Sequence, residues 1–195
     1  MRQDRPNRWK GLVLGLSGGA AGTLAMNYYW QAVVATTGED PRQETSSAEQ
    51  QALDDISLVG QQARPDESST AAIGRIAYET VTGSEPNAAE MKTTLSNAVH
   101  FGYEIAQGGV YGVLRGKAVV PDIRGGAVFG AALWLFGDEL GIPLLGLSQG
   151  PTAYPVHQHI HRFAAHLIYG LTTSAVTQVL RRFLEPCFGG LAKED

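Results

Sequence analysis

The sequence predicts an all-α polytopic membrane protein with four transmembrane helices in one bundle. Its most informative stretch is residues 11–38, which contain no Asp, Glu, Lys, Arg or His and follow a basic N-terminal cluster. A surface helix of a soluble protein needs a polar, usually charged, face, and about 20 apolar residues cross the ~30 Å hydrocarbon core of a bilayer. The four predicted spans are residues 11–36, 93–114, 125–147 and 156–184. We therefore take residues 1–195 as a single membrane domain.

The average composition of the chain is that of a soluble protein, so a soluble helical protein is the alternative fold class. The hydrophobic fraction is 44% and the mean hydropathy is −0.09. Polarity is unevenly distributed, however, since residues 38–92 hold 11 of the 19 acidic residues. This polar segment is expected to lie outside the membrane, between the first and second spans. The net charge of −4 argues against nucleic acid as a partner.

The first span carries a ridge of small residues. Gly11, Gly15 and Gly19 recur every four residues, so they share one helix face. Such faces let membrane helices approach backbone to backbone. Two partners fit this ridge at the sequence level, another membrane protein or a second copy of the chain. Aromatic residues at the far end of the span, Tyr28 to Trp30, are typical of a membrane–water interface.

The polar segment contains a second periodic pattern. Ile73, Ile76, Ala77 and Val81 recur at helical spacing, which predicts a short amphipathic helix over residues 70–82. This helix would lie on the membrane surface, on the bundle, or simply within the loop.

The ends of the later spans follow from basic residues and prolines. The third span follows Arg124 and ends near Pro143, and the fourth begins after Pro155 and stops at Arg181 and Arg182. Basic residues are retained on the cytoplasmic side. Ten Lys and Arg residues fall before the first span, between the second and third, or after the fourth, and five fall on the opposite side. Both termini are therefore expected in the cytoplasm, with the lipid bilayer as the main partner.

Ionisable side chains recur inside three of the predicted spans. At about 1.5 Å rise per residue, they lie roughly 10–17 Å below the outer boundary, in one layer. Charged groups at that depth are costly, so they are paired, hydrated or functional. Asp138 and Glu139 are adjacent, so only one of them easily faces the interior. The candidate core residues are His100, Glu104, Asp138, Glu139 and His166.

Several chemistries fit this layer. His and carboxylate groups from facing helices can bind a divalent metal such as zinc, manganese or iron, or relay protons. Two histidines could also ligate a haem, but this is a weak signal. The structural alternative is that the groups pair with each other and only hold the bundle together. A further cluster, His157, His159 and His161, lies at the outer mouth of the fourth span, either as a metal-capture site or as a solvated helix start.

No catalytic signature accompanies this layer. The sequence lacks a nucleophile elbow, a phosphate loop and a dinucleotide fingerprint, which leaves enzymatic activity open and favours a non-enzyme. The function hypothesis is a small membrane protein that handles protons or a divalent metal. The alternative is a non-catalytic accessory or scaffold subunit of a larger membrane complex, docked through the glycine ridge.

Short motifs add a resemblance. Pro86-Asn87-Ala88-Ala89, the stretch from Pro143 to Leu147 and the stretch from His166 to Tyr169 resemble the YagU-like family of bacterial inner-membrane proteins, over roughly residues 10–184. The resemblance implies a polytopic protein of the bacterial inner membrane, with His100 and His166 matching the family's intramembrane histidines. Glu104, Asp138 and the histidines from 157 to 161 depart from that pattern.

Overall fold

Five helices make up the architecture. The computed structural model describes residues 8–43, 56–64, 67–115 and 122–188, and within them the chain has helices and turns but no strand. The helices are α1 (Arg8–Thr37), α2 (Ser69–Thr82), α3 (Ala89–Leu114), α4 (Ile123–Leu144) and α5 (Val156–Phe188). The prediction of an all-α fold is confirmed for this part of the chain.

Each predicted helix coincides with an observed one. The four predicted spans overlap α1, α3, α4 and α5, and α2 occupies the place of the predicted amphipathic helix. Local signals explain the bounds of α2. The Ser68 hydroxyl accepts a hydrogen bond from the Ala71 amide at the N-terminus, and Gly83 adopts a left-handed conformation (φ 70°) at the C-terminus.

Helix α4 is the one helix, among the described residues, that is long and apolar enough to cross a membrane by length and composition. Only 17% of its most apolar window is buried, whereas the core helix of a soluble protein would be mostly buried. The prediction of four membrane-spanning helices is therefore supported for α4 and stays a prediction for α1, α3 and α5. Helices α1, α3 and α5 are diluted by Gly, Ser, Thr and Gln, which lowers their mean hydropathy.

The described residues form two compact units. The first contains residues 8–32, 104–115, 122–131 and 165–188, and the second contains residues 33–43, 56–64, 67–103 and 132–164. Each unit has its own kind of packing.

In the first unit, α1 packs on α3 through facing glycines. A Cβ added to Gly15 would lie 2.8 Å from the Gly112 Cα, and one added to Gly19 would lie 3.0 Å from the Gly108 Cα. Gly11 also contacts Gly112. The predicted glycine ridge therefore packs backbone to backbone, but it does so against a second glycine ridge of the same chain.

Two more contacts of the first unit follow the same rule. On α1, a Cβ added to Gly22 would lie 2.9 Å from the Tyr169 carbonyl oxygen of α5. On α4, a Cβ added to Gly126 would lie 2.9 Å from the Gly170 carbonyl oxygen of α5. Small residues thus set the spacing of all three helix pairs.

Polar side chains are prominent among the buried residues. The largest fully buried side chains are Tyr169, Gln158, Thr23, Thr173, Thr177 and Ser174. Several large apolar side chains face outward, with Leu24 52% exposed, Val128 68% and Phe183 72%, while others such as Leu14 and Trp30 are buried. Buried polar groups require hydrogen bonds, and several are present; for example, the Tyr111 hydroxyl donates to the Ser174 hydroxyl at 2.7 Å.

In the second unit, residues 57–63 form a strap across the C-terminal end of α4. The Leu58 amide donates to the Leu144 carbonyl at 2.9 Å, and the Gln62 and Ala63 amides both donate to the Gly146 carbonyl, at 2.7 and 3.0 Å. These bonds satisfy carbonyl groups that a helix end leaves without intrahelical partners. The polar segment is therefore tied to the end of α4.

Arg75 of α2 holds the strap from the other side. Its guanidinium donates to the Gln62 carbonyl at 2.7 Å and to both Glu67 carboxylate oxygens at 2.9 Å. Arg75 is only 9% exposed. The hydrogen bonds from Arg75 hold the pKa of the Glu67 carboxyl below its usual range.

We expect this contact to open in acid. Because the Glu67 pKa is lowered on folding, its stabilising contribution is complete above the unfolded value, about pH 4.3, and is lost as pH falls through the folded value. Hydrogen-exchange protection of the 57–75 region, corrected for intrinsic rates, should stay constant down to about pH 4.3 and fall below it. Glu67→Gln should lower protection at neutral pH and remove the acid dependence. An unchanged acid profile in that variant would contradict the assignment.

Candidate proton site

The candidate site begins with a wide turn in α4. Residues Leu133–Gly141 are π-helical, between α-helical segments Ile123–Ala132 and Ile142–Leu144. At the end of this π-helix the Ile142 amide donates to the Gly137 carbonyl, five residues back. π-Helical turns are rare and recur at functional sites. Here the π-helix carries Glu139, which is 6% exposed.

His159, in the first turns of α5, provides the partner of this carboxylate. Its Nδ1 lies 2.8 Å from the Glu139 Oε1, and its Nε2 lies 2.9 Å from the Pro151 carbonyl oxygen. The ring also meets Tyr154 edge-on, and the Arg162 guanidinium lies 4.7 Å from the centre of the Tyr154 ring. Both nitrogens of the imidazole are therefore engaged.

This geometry restricts where the protons of the pair can lie. A carbonyl oxygen only accepts hydrogen bonds, so Nε2 of His159 must carry a hydrogen. Between Nδ1 and Glu139 there is then one proton. If it resides on His159, an imidazolium faces a carboxylate; if it resides on Glu139, a neutral imidazole accepts from a carboxylic acid. Either way the pair is neutral overall and shares one transferable proton.

The same geometry disfavours a metal at His159. A histidine ligates a metal through a ring nitrogen lone pair, and here one nitrogen must carry a hydrogen while the other meets a carboxylate. Across residues 8–43, 56–64, 67–115 and 122–188, no group of three His, Cys, Asp or Glu side chains is placed to hold a metal ion. The metal interpretation therefore gains no ligand set from the structure.

Of the adjacent acids Asp138 and Glu139, the structure buries Glu139 more deeply. Glu104 and His166, both in the first unit, are 5% and 7% exposed. The Glu104 backbone carbonyl accepts a hydrogen bond from the Tyr169 hydroxyl at 2.5 Å.

The histidines do not behave as one set. His100 is partly buried, with its ring edge-on to Phe101. His157 is exposed and His161 partly buried, whereas His159 binds Glu139. The interpretation of residues 157, 159 and 161 as one solvated helix start or one metal-capture site needs correction for His159, because its register turns it toward α4. The haem alternative stays untested.

The sequence analysis did not predict three features around the Glu139–His159 pair: the π-helix, the Pro151 carbonyl and the buried Gln158. The π-helix has no simple signature, although Gly137 and Gly141 flank the acidic pair. The Pro151 carbonyl is a backbone group and leaves no trace in the pattern. Gln158 is fully buried, and its amide donates to the Pro41 carbonyl. A signal for it was present, since Pro155 fixes the start of α5 and so the faces of the residues after it.

Together, fold and site define an all-helical protein with glycine-lined helix contacts and a buried carboxyl–imidazole pair. Comparison of the chain with family models, curated proteins and solved structures gave no match. The resemblance to the YagU-like family stays a prediction.

Proposed function

We propose that the chain is a small integral membrane protein with four spans, α1, α3, α4 and α5, that transfers protons through the Glu139–His159 pair. In this proposal both termini are cytoplasmic and the pair lies toward the outer side. The single observation that carries the proposal is the buried Glu139 carboxylate on the most apolar helix, hydrogen-bonded to an imidazole with both nitrogens engaged.

The buried polar side chains and the exposed apolar side chains of the first unit support the membrane part. Lipid does not drive apolar side chains inward, so membrane helices associate through small residues and hydrogen-bonded polar groups. The first unit has those features, with glycines at its helix contacts and Thr173, Ser174 and Thr177 fully buried, while Leu24, Val128 and other large apolar side chains face outward. If α4 were the only membrane-spanning helix, α1 and α5 would have no need of glycine contacts, buried hydroxyl groups and outward-facing apolar side chains.

The hydrogen-bond geometry supports the proton part over the metal part. A carboxyl–imidazole pair that shares one proton can take up a second proton or release the shared one, and either change breaks one hydrogen bond of the pair. An ionisable group within a membrane span is energetically unfavourable, so its presence there indicates a functional role.

The scaffold alternative loses its docking face. It assigned Gly11, Gly15 and Gly19 to a partner membrane protein, or to a second copy of the chain. These glycines are buried against Gly108 and Gly112 of the same chain. Docking of a partner through them would require α1 to separate from α3.

Proton flux into vesicles tests the proposal. The purified protein is reconstituted with a trapped pH-sensitive dye, and a potassium gradient with valinomycin drives proton entry. We expect flux above that of protein-free vesicles. Glu139→Gln should lower it by at least about tenfold, because a positioned acid–base group contributes about 10²–10⁴ to proton-transfer rates.

His157→Gln is the matched control, since His157 lies two residues from His159 but is exposed. Its flux should equal that of the wild type. Equal flux in the wild type and in Glu139→Gln would contradict proton transfer through the pair. Recovery of the protein in the supernatant after an alkaline carbonate wash of the vesicles would contradict the membrane part.

A further inference from the structure

An open cavity of about 490 Å³ lies in the second unit, apart from the residues of the proton site. It opens between the N-terminal part of α2, the residues Arg64, Glu67 and Ser68 that precede it, and the first turns of α3. Its volume falls in the range of small-molecule sites. Its lining contains the cations Arg64, Arg75 and Lys92 and, among the described residues, the carboxylate Glu67.

The charge of Glu67 is already neutralised. Both of its oxygens accept hydrogen bonds from Arg75, at 2.9 Å each, and this contact lowers the Glu67 pKa. Arg75 in turn is 9% exposed and is held by Glu67, Glu79 and Gln62. The Glu67–Arg75 pair therefore forms a fixed, neutral wall of the cavity.

Arg64 differs because it lies near the solvent. Its two terminal nitrogens donate to the two oxygens of Glu85, at 3.2 and 2.6 Å, a bidentate geometry that guanidinium groups also use for phosphate. The Arg64 side chain is 45% exposed and that of Glu85 is 58% exposed. Exposed pairs of this kind are weak, so an external anion can displace Glu85 from Arg64.

Neutral polar and apolar residues complete the lining. Ser68, Thr93, Ser96 and Asn97 line the same cavity as Lys92, together with Ala71, Pro86 and Leu95. Hydroxyl and carboxamide side chains, together with Lys and Arg, suit an anion with several oxygen atoms. Lys92 also directly precedes the predicted second span, which in the four-span topology is the outer membrane boundary.

We propose that this cavity binds a phosphate group, with Arg64 and Lys92 as its cationic ligands and Glu85 as an internal competitor. The group could belong to a soluble phosphate ester or to a phospholipid headgroup, since the chemistry at the cavity is the same. The proposal does not require proton transfer by Glu139 and His159.

Binding measurements on the full-length protein in a neutral detergent test the proposal. The probes are inorganic phosphate and dihexanoylphosphatidylglycerol, titrated by calorimetry up to about 10 mM, where a weak but specific Kd is still measurable. Arg64→Gln and Lys92→Gln should each raise the Kd by at least about tenfold. Glu85→Gln should lower it severalfold, because the competing carboxylate is removed.

Arg42→Gln is the matched control, since Arg42 is another exposed arginine, paired with Asp40 outside the cavity. Its Kd should be unchanged. Binding of phosphate alone supports a soluble ester, binding of the lipid alone supports a headgroup, and binding of both supports the shared chemistry. Binding of neither probe overturns the proposal, as does an unchanged Kd in Arg64→Gln, Lys92→Gln or Glu85→Gln. Loss of flux in Glu139→Gln with intact phosphate binding would separate the two functions.

Discussion

Gly112→Ala should strongly destabilise the folded protein, because the new methyl group would meet the backbone of α1. The added Cβ would lie 2.7 Å from the Gly15 Cα and 2.8 Å from the Gly15 amide nitrogen, both backbone atoms that no side-chain rotation can move. The helices must separate, which costs about 1–3 kcal/mol by overpacking alone. Thermal unfolding in detergent, followed by size-exclusion chromatography of the heated protein, should show a clear fall in Tm.

Gly102→Ala is the control for this prediction. Gly102 lies on the same helix, but an added Cβ there meets nothing within 4 Å. Alanine favours a helix over glycine by roughly 0.5–1 kcal/mol, so this variant should be as stable as the wild type or slightly more stable. If both variants unfold at the same temperature, the close contact of α1 and α3 is wrong.

Substitution of Glu139 or His159 should give the second large loss of stability. The effects of the two substitutions should not add, because each removes the same hydrogen bond. Glu139→Ala leaves the His159 Nδ1 without its carboxylate in a partly buried position, and loss of one partner of a buried pair costs about 3–5 kcal/mol. Because the His159 side chain is 21% exposed, water offsets part of this cost, and we expect the lower end of the range.

The double variant Glu139→Leu/His159→Phe separates stability from function. Replacing both partners by apolar residues of similar size is often neutral for stability, so we expect a Tm near that of the wild type. Proton flux should nevertheless be abolished. If the losses in Glu139→Leu alone and His159→Phe alone add up to that of the double variant, the 2.8 Å contact contributes no coupling energy. If the double variant retains flux, the pair serves only to hold α4 and α5 together.

The glycine ridge shows how far local pattern carries an inference. The four-residue spacing of Gly11, Gly15 and Gly19 correctly indicated a face built for close helix contact. The spacing does not identify the helix on which this face packs, because any complementary face of small residues has the same geometry. The partner proved to be Gly108 and Gly112, whose own four-residue spacing was visible in the sequence but was not matched to the first.

The acidic pair shows the opposite case. Sequence spacing indicated that one of Asp138 and Glu139 would face inward, and α4 buries Glu139 more deeply. The partner was not predictable, since a π-helix changes the direction of every side chain that follows it. The sequence interpretation placed His157, His159 and His161 in one cluster at the outer mouth of the fourth span, whereas in the structure His159 binds Glu139.

The amino-acid sequence by itself determined where the helices begin and end. Helix hydrogen bonds join residues a few positions apart, so apolar runs, prolines and capping residues such as Ser68 and Gly83 suffice to set them. Only the tertiary structure decided which groups meet. The contact of Glu139 with His159, and that of Arg75 with Gln62, depends on the rotation and register of separate segments, which packing and the π-helix set together.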